Sequence, residues 1–253
     1  MTTTPEDEIP AQHLGSPRVV DSAYGSPNST VSLTQDVVDF QLEYGRSYTT
    51  EEEYLLPVDE REKARLDLFH CCVKLILNSK SSLAPMTVGG RVLDLGTGTG
   101  IWAIELAESD PASVVIGVDL APIQPDFVPP NLEFQIEDIE MQWTWSYDFT
   151  FIRARQLGGS IKDWPCLIRQ CNQYVVDSQP TVSSKLILKM IGAYRVCEFL
   201  EGVEGLLLKC LIERLAWSLL EVQVYLAEIR EAAKTHGFHL VCDLHVVFGK
   251  KPF

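Results

Sequence analysis

The sequence predicts an α/β fold in which a mostly parallel, twisted sheet carries helices on both faces. Short apolar runs recur at residues 91–95, 114–120, 132–136 and 149–152, separated by loops and helical stretches, as in a parallel sheet. A glycine-rich turn follows the first run and leads directly into a helix over residues 101–108. These observations together predict a doubly wound core.

Further segments surround this core. Residues 1–35 are rich in Ser, Thr and Pro and lack any helical or strand period, which predicts a disordered tail. The rest is predicted as one domain: a helical lid over 36–86, a core over 87–190, a helical insert over 191–236 and a last, antiparallel strand over 237–253. Outside the core sheet, helices are predicted over 161–174, 193–215 and 219–234, and Ser218 with Glu221 forms a capping box at the start of the last one. Strands are predicted over 185–190 and 238–248, and the first of these is expected to continue the sheet.

The charge balance excludes two classes of partner. The 253 residues include 35 acidic and 21 basic side chains, a formal net charge of -14. Nucleic acid and anionic membrane surfaces are repelled by this charge, so neither is predicted as a partner. No apolar run approaches the roughly 20 residues of a membrane-spanning helix, and the first ten residues are acidic where a signal peptide is basic. We therefore predict a cytoplasmic protein, with the nucleus as the alternative.

The cysteines do not indicate a metal centre. There are 7 of them, none in a CxxC pair, and most lie in apolar stretches. This pattern is typical of reduced core thiols, and no metal site is predicted.

Three glycines lie at the bend between the first strand and its helix, in the sequence VLDLGTGTG of residues 92–100. Gly96 and Gly98 allow the backbone to turn and to approach a ligand closely, while Gly100 allows tight packing of the helix on its strand. By itself, this turn also fits a dinucleotide site.

Two acidic residues favour a different ligand. Asp119 ends the next strand, where a carboxylate can accept both ribose hydroxyls of an adenosyl group. Asp94 precedes the first glycine by two residues, where it would repel a pyrophosphate but attract an ammonium. The methionyl end of S-adenosylmethionine carries such an ammonium, so we predict this cofactor.

A third acidic element, QIEDIE at residues 135–140, follows the third strand. We expect Asp138 to accept from the adenine amino group and an apolar neighbour to cover the ring. The alternative is a solvated acidic loop.

Many segments match one family in order and spacing. They are YGRSY (44–48), EYLLP (53–57), RLD (65–67), LAP (83–85), RVLDLGTGTGIW (91–102), VDL (118–120), PIQP (122–125), VPPN (128–131), WTW (143–145), GSIKDWP (159–165), LEGVEG (200–205) and VVFGKKP (246–252). In these segments the chain resembles the fungal LaeA-like class I methyltransferases. The resemblance implies a Rossmann-like fold, S-adenosylmethionine as cofactor and a place in fungal secondary metabolism or its regulation.

The resemblance also implies roles for individual residues. The turn would hold the methionyl part of the cofactor, Asp119 the ribose, Asp138 with Ile139 the adenine, and the segment 44–48 would cover the ligand. Trp102 would pack beneath the site. The cofactor-binding residues predicted in this way are Tyr44, Arg46, Tyr48, Asp94, Gly96, Thr97, Gly98, Asp119, Leu120, Asp138, Ile139 and Arg153.

The chain departs from the family after residue 174. The family's Leu-Lys-Pro-Gly-Gly turn and Glu-rich strand are absent, and residues 174–180 read YVVDSQP. Because that block usually builds substrate-facing helices and part of the sheet, we expect a reduced sheet. The acceptor pocket is then remodelled, supplied by a second subunit or missing.

No residue is predicted to be catalytic. Methyl transfer depends on positioning and needs a base only for weakly acidic acceptors. We expect His70 to be a partly exposed helix histidine. Arg153 and Arg155 follow the fourth strand and either orient an anionic or carbonyl-bearing substrate or pair with carboxylates. Trp145, Arg155 and Trp164 are the predicted substrate-binding residues, with core or interface packing as the alternative for the tryptophans.

Three functions stay open on this basis. The leading hypothesis is an S-adenosylmethionine-dependent methyltransferase that acts on a small molecule in fungal secondary metabolism. The alternatives are a methyltransferase-fold enzyme of a non-methylating step, such as isomerisation or cyclisation, and a regulatory partner without catalysis. The apolar stretch over residues 199–220 additionally predicts a homodimer or association with a pathway protein.

Overall fold

The computed structural model describes residues 40–50, 54–157, 159–176, 184–191, 193–234 and 241–248, so the predicted N-terminal tail lies outside the described residues. The elements, in chain order, are β1 (Phe40–Glu43), β2 (Arg46–Thr49), α1 (Glu60–Ile76), β3 (Arg91–Leu95), α2 (Ile101–Ser109), β4 (Val114–Asp119), β5 (Leu132–Ile136), β6 (Phe151–Ala154), α3 (Trp164–Tyr174), β7 (Ser184–Ile191), α4 (Ala193–Leu215), α5 (Leu219–Lys234) and β8 (Val241–Phe248).

A parallel sheet of four strands, in the order β5-β4-β3-β6, forms the core. Its central strand β3 pairs with β4 and with β6, so that Leu93 lies opposite Ile116 on one side and Ile152 on the other. Four strands were predicted here. Two match the prediction at both ends, and the fourth begins at Phe151, two residues later than predicted.

The two faces of this sheet pack against different helices. Val92 faces α2 and its Trp102, whereas Leu93 faces α3 and its Leu167. Since all four side chains are at most 3% exposed, each large apolar one contributes on the order of 1.5–3 kcal/mol to stability. The predicted arrangement of helices on both faces is confirmed.

The segment predicted as a helical lid begins with a β-hairpin, so that part of the prediction is wrong. β1 and β2 are antiparallel and are joined by Tyr44 and Gly45, whose φ angles are 53° and 79°. Positive φ at both positions of a two-residue loop is the geometry that fits the twist of a hairpin. The helix of the lid, α1, begins only at Glu60, where the Asp59 side chain accepts a hydrogen bond from the Glu62 N–H.

The C-terminal half contains a second, separate sheet. β7 pairs antiparallel with β8 over eight positions, which confirms an antiparallel last strand. The expectation that β7 extends the parallel sheet is not met among the described residues, where β8 is its hydrogen-bonded neighbour. A single parallel bridge joins Phe149 to Val175 after α3, so the chain contacts the edge of the sheet at this point, and no fifth strand of this sheet occurs among the described residues.

The predicted helices α4 and α5 are present. Ser218 begins α5 with the predicted capping box: its N–H donates to Glu221, and the Glu221 N–H donates to its hydroxyl. α4 also packs against α1. In the part of the chain that is described, no helix is both long and apolar enough to cross a membrane, and no cluster of three or more potential metal-binding side chains occurs.

Candidate active site

The glycine turn connects the carboxyl end of β3 to α2. Gly98 has a φ of +62°, and a Cβ built on it would meet nothing closer than Leu66 Cδ1, at 3.6 Å. Gly100 has a φ of +78°, and a Cβ there would collide with the Phe134 ring. A ligand can therefore approach the Gly98 backbone, whereas Gly100 is needed for close packing of the helix on the sheet.

Asp119 lies at the carboxyl end of the adjacent strand β4 and faces this turn. Its Oδ2 accepts a hydrogen bond from the Gly98 N–H at 2.7 Å, and its Oδ1 accepts one from the Ala121 N–H at 3.0 Å. Burial raises the pKa of Asp119, and these two hydrogen bonds partly oppose that rise. A carboxylate has about four acceptor positions, so acceptor capacity stays available to a ligand.

Asp94 is completely buried, and protein donors take both of its oxygens. The Thr97 hydroxyl donates to Oδ2 at 2.9 Å, and the Arg153 guanidinium donates to Oδ1 in an ion pair. The guanidinium also lies 4.1 Å from the centre of the Trp102 ring. This ion pair links β3 to β6, whose register places Asp94 opposite Arg153.

His70 is buried, contrary to the expectation of a partly exposed histidine. Its Nε2 lies 3.0 Å from Glu105 Oε2, and its Nδ1 lies 3.4 Å from two nitrogens of Arg155. A guanidinium can only donate, so Nδ1 accepts and the ring proton lies on Nε2, towards Glu105. Burial lowers the pKa of His70, and the Arg155 charge adds to this effect. The imidazole is therefore neutral at pH 7.

Arg155 differs from its neighbour Arg153. Arg155 is half-buried beyond the end of β6, and its guanidinium carbon lies 5.6 Å from the centre of the Phe69 ring. Burial lowers the pKa of Arg155 to about 10, and the Arg153 charge adds to this effect. Arg153 thus makes the salt bridge that the sequence analysis offered as one alternative. Arg155 makes none with the described residues.

The predicted covering residues of the hairpin make their contacts elsewhere. Arg46 donates from Nε and Nη2 to the two oxygens of Asp59, at 2.6 and 2.8 Å. Tyr48 is fully buried, with the Lys209 ammonium 4.6 Å from its ring centre, while Tyr44 is 41% exposed in the hairpin turn. Within the described part of the chain, no hydrogen bond or ion pair of these three residues reaches the glycine turn or Asp119.

The loop after β5 lies beside Asp119. The N–H of Glu137 donates to the Asp119 carbonyl at 3.1 Å. Asp138 follows at the surface and accepts from the Glu140 N–H, whereas Ile139 is half-buried and packs towards the core. Leu120 is 36% exposed next to Asp119. The structure therefore brings Asp138, Ile139 and Leu120 to the edge of the sheet where Asp119 lies.

The two predicted substrate-binding tryptophans are in different settings. Trp145 packs edge-on against Phe149, with ring centres 5.4 Å apart, in the cluster between the sheet and α3. Trp164 is the first residue of α3 and is 37% exposed. For Trp145, the packing alternative describes what is observed.

Two residues at the site were missed by the sequence analysis. Gln124 donates from Nε2 to the Gly98 carbonyl at 2.6 Å and to the Ala121 carbonyl at 3.0 Å. Tyr54 packs with Ala121 and Leu66, and burial raises its pKa, to which the Asp119 charge adds. Both lie in segments that carried the family resemblance, which was the signal available for them.

The chain is similar in sequence to known methyltransferases. The profile of a family described as "Methyltransferase domain" matches residues 65–186. The methyltransferase pytC of Aspergillus terreus is 30% identical over 299 aligned positions, which cover 89% of this chain and 92% of that protein. Because 299 positions exceed the 253 residues of this chain, the relative has residues that this chain lacks.

Other similarities are more local. The protein-methionine methyltransferase laeA of Emericella nidulans is 43% identical over 153 residues, but this region covers 58% of this chain and 41% of laeA. A crystal structure of coclaurine N-methyltransferase matches 51% of this chain and 36% of its own at 20% identity, with a TM-score of 0.35.

The relationship to pytC spans nearly the whole of both proteins, which confirms the predicted family, its fold class and S-adenosylmethionine as the cofactor of that family. This chain belongs to the methyltransferase family, with fungal methyltransferases and LaeA proteins among its relatives.

Proposed function

We propose that this protein binds S-adenosylmethionine along the carboxyl ends of β3 and β4 and transfers its methyl group to a small molecule of fungal secondary metabolism. The observation that carries the proposal is the Asp119 carboxylate, which is held against the Gly98 N–H and still has acceptor positions free. The names of relatives, a methyltransferase of Aspergillus and regulators of secondary metabolism, support the choice of pathway.

The residues around Asp119 fit an adenosyl ligand. The free acceptor positions of the carboxylate suit the two ribose hydroxyls, and the open surface of Gly98 allows the ligand to approach the backbone. Gln124 holds the Gly98 carbonyl, which fixes the turn in the conformation that exposes this surface. Asp138 and Ile139 would hold the adenine, with Leu120 lining the same edge.

Asp94 has a different role in this proposal from the direct ammonium contact that the sequence suggested. Asp94 is completely buried, and each of its oxygens already accepts from a protein donor, Thr97 or Arg153, so it holds the turn and the neighbouring strand in place. It still supplies a negative charge beside the methionyl region, and Arg153 reduces that charge. Arg46 acts at a distance, by holding the hairpin against Asp59 at the start of α1, and Tyr48 by packing its buried ring under the Lys209 ammonium.

The chemistry assigned to the protein is positioning. S-adenosylmethionine, when bound, supplies an electrophilic methyl group, so a correctly placed acceptor atom needs little further activation. His70 is neutral, but its Nδ1 already accepts from Arg155, and so it is not assigned as a base. The acceptor must therefore bring a nucleophile that is reactive at neutral pH, or lose its proton to water.

Transfer of a labelled methyl group tests this function. The protein is incubated with S-adenosylmethionine whose methyl group carries deuterium, together with extract from a fungus that produces secondary metabolites. We expect labelled small molecules that are absent with the Asp119→Ala variant. Label found in protein methionine would instead indicate the acceptor class named for laeA of Emericella nidulans. A new product without label would support the non-methylating alternative.

We also propose that the lid over residues 36–86, the core over 87–190, the helical insert over 191–236 and the last strand over 237–253 form one domain. The packing of α4 against α1 supports this organisation. Self-association and a cytoplasmic location stay predictions from the sequence.

A further inference from the structure

One arginine at the edge of the sheet makes no ion pair with the residues that the structure describes. Arg155 follows β6, two residues after Arg153 and two before Leu157, the residue against which a Cβ on Gly96 would collide. Its Nη1 and Nη2 both lie 3.4 Å from His70 Nδ1. It makes no ion pair with any carboxylate among the described residues.

The neighbouring charges are already compensated. Asp94 is paired with Arg153, and Glu105 is paired with Lys74 at 2.7 Å while it also accepts from neutral His70. These two carboxylates are thus each engaged by another cation. Arg155 itself makes no ion pair with the described residues.

A half-buried charge that makes no ion pair with the described residues is unfavourable, because its lost hydration is only partly compensated, here by the more distant charges of Asp94 and Glu105. The lowered pKa of Arg155 reflects this loss of hydration. At the same time, the Phe69 ring and His70 Nδ1 hold the guanidinium in place, so that its remaining N–H groups are oriented before any ligand arrives. An oriented guanidinium that is not already bonded to a carboxylate is suited to bind one.

We propose that Arg155 is a binding site for an anionic oxygen of a bound ligand, a carboxylate above all. This inference rests on the proposed function and deepens it. The anion has two sources at this edge of the sheet: the methionyl carboxylate of the cofactor, or an ionised group of the methyl acceptor.

The first arm of the test separates the cofactor from other sources. Binding of S-adenosylhomocysteine and of 5′-methylthioadenosine, which lacks the amino-acid part, is measured by calorimetry for the wild type, Arg155→Met and Arg155→Lys. If the cofactor supplies the anion, Arg155→Met loses affinity for S-adenosylhomocysteine by roughly tenfold to a hundredfold, the range for a hydrogen bond between charged groups, and keeps its affinity for 5′-methylthioadenosine. Arg155→Lys retains part of the affinity.

The second arm tests the acceptor as the source. Binding of benzoate and of the neutral benzamide is measured by ligand-observed NMR, with and without S-adenosylhomocysteine. If the acceptor supplies the anion, the wild type prefers benzoate and Arg155→Met loses that preference. Arg169→Met, which changes an exposed arginine of α3, is the matched control and should behave as the wild type in both arms.

The outcomes are distinguishable from a failure of the proposed function. If the wild type does not bind S-adenosylhomocysteine at all, the proposed function fails, and the benzoate arm still tests Arg155. The anion site is refuted if the wild type binds S-adenosylhomocysteine and Arg155→Met changes neither of two quantities. These are the affinity for S-adenosylhomocysteine relative to 5′-methylthioadenosine and the preference for benzoate over benzamide. Thermal unfolding of each variant shows whether it is folded.

Discussion

Replacement of Arg153 by Met should destabilise the protein strongly, because it leaves Asp94 charged and buried. Asp94 has 0% exposure, and among the described residues its ion pair is with Arg153. Removing one partner of a buried ion pair costs about 3–5 kcal/mol. Because the Thr97 hydroxyl would still donate to the remaining carboxylate, we expect the lower end, about 3 kcal/mol.

The change is large enough to measure in two ways. For a protein of this size, about 3 kcal/mol corresponds to a fall in melting temperature of roughly 6–12 °C. Urea unfolding followed by tryptophan fluorescence should give the matching decrease in the free energy of unfolding. Arg169→Met, at an exposed position, should lie within about 0.5 kcal/mol of the wild type.

A double variant isolates the buried charge as the cause. Asp94→Asn combined with Arg153→Met removes both charges and keeps an acceptor for Thr97, so the pair should be more stable than Arg153→Met alone. The reasoning is refuted if Arg153→Met costs less than about 1 kcal/mol, or if the double variant is as unstable as the single one.

Three further results are expected. Gly100→Ala should destabilise the fold by more than about 1–2 kcal/mol, the cost of placing a residue with a Cβ in the left-handed backbone conformation, because its Cβ would also collide with Phe134. An unchanged urea unfolding midpoint would contradict this packing. Cofactor affinity should be highest above the raised pKa of Asp119 and should fall as the pH drops through that pKa, because only the ionised carboxylate accepts both ribose hydroxyls. Calorimetry at several pH values measures this dependence. An affinity that stays constant down to the ordinary pKa of Asp would argue against the role of Asp119. The side chains of Leu206, Leu215 and Leu220 are 50%, 60% and 74% exposed, which leaves apolar surface for self-association. Sedimentation at tens of micromolar, roughly the range of weak homodimers, should therefore show a dimer that Leu220→Asp weakens. A wild-type monomer at that concentration would contradict the predicted self-association.

The central sheet could be predicted because its signals are local. β3 and β5 are short apolar runs bounded by turn residues, and the glycine turn fixes the point at which β3 passes into α2. The hairpin of β1 and β2 gave a weaker signal, since its strands have four residues each and its turn is Tyr44-Gly45. The apolar pattern of the long helix α1 is the stronger signal in this region, so the short hairpin before it was predicted as part of a helical segment.

The side-chain partners at the site could not be read from the sequence. His70 is buried by contacts with Glu105 and Arg155, which are 35 and 85 residues away along the chain. Arg153 and Arg155 have the same charge and are two residues apart, yet the strand register gives Asp94 to Arg153 alone. Such assignments depend on which strands and helices lie side by side, and the spacing of residues in one segment does not contain that information.

Calorimetric titration of the wild type, Asp119→Ala, Asp119→Asn and the surface control Asp148→Asn with S-adenosylmethionine and S-adenosylhomocysteine tests the central claim most directly. We expect the wild type and the control to bind both ligands and the Asp119 variants to lose at least about tenfold in affinity while they stay folded, since hydrogen bonds to a charged group contribute about 1.5–3 kcal/mol. Equal affinity in all four proteins, or no binding by the wild type, would contradict a cofactor site at Asp119 and the glycine turn.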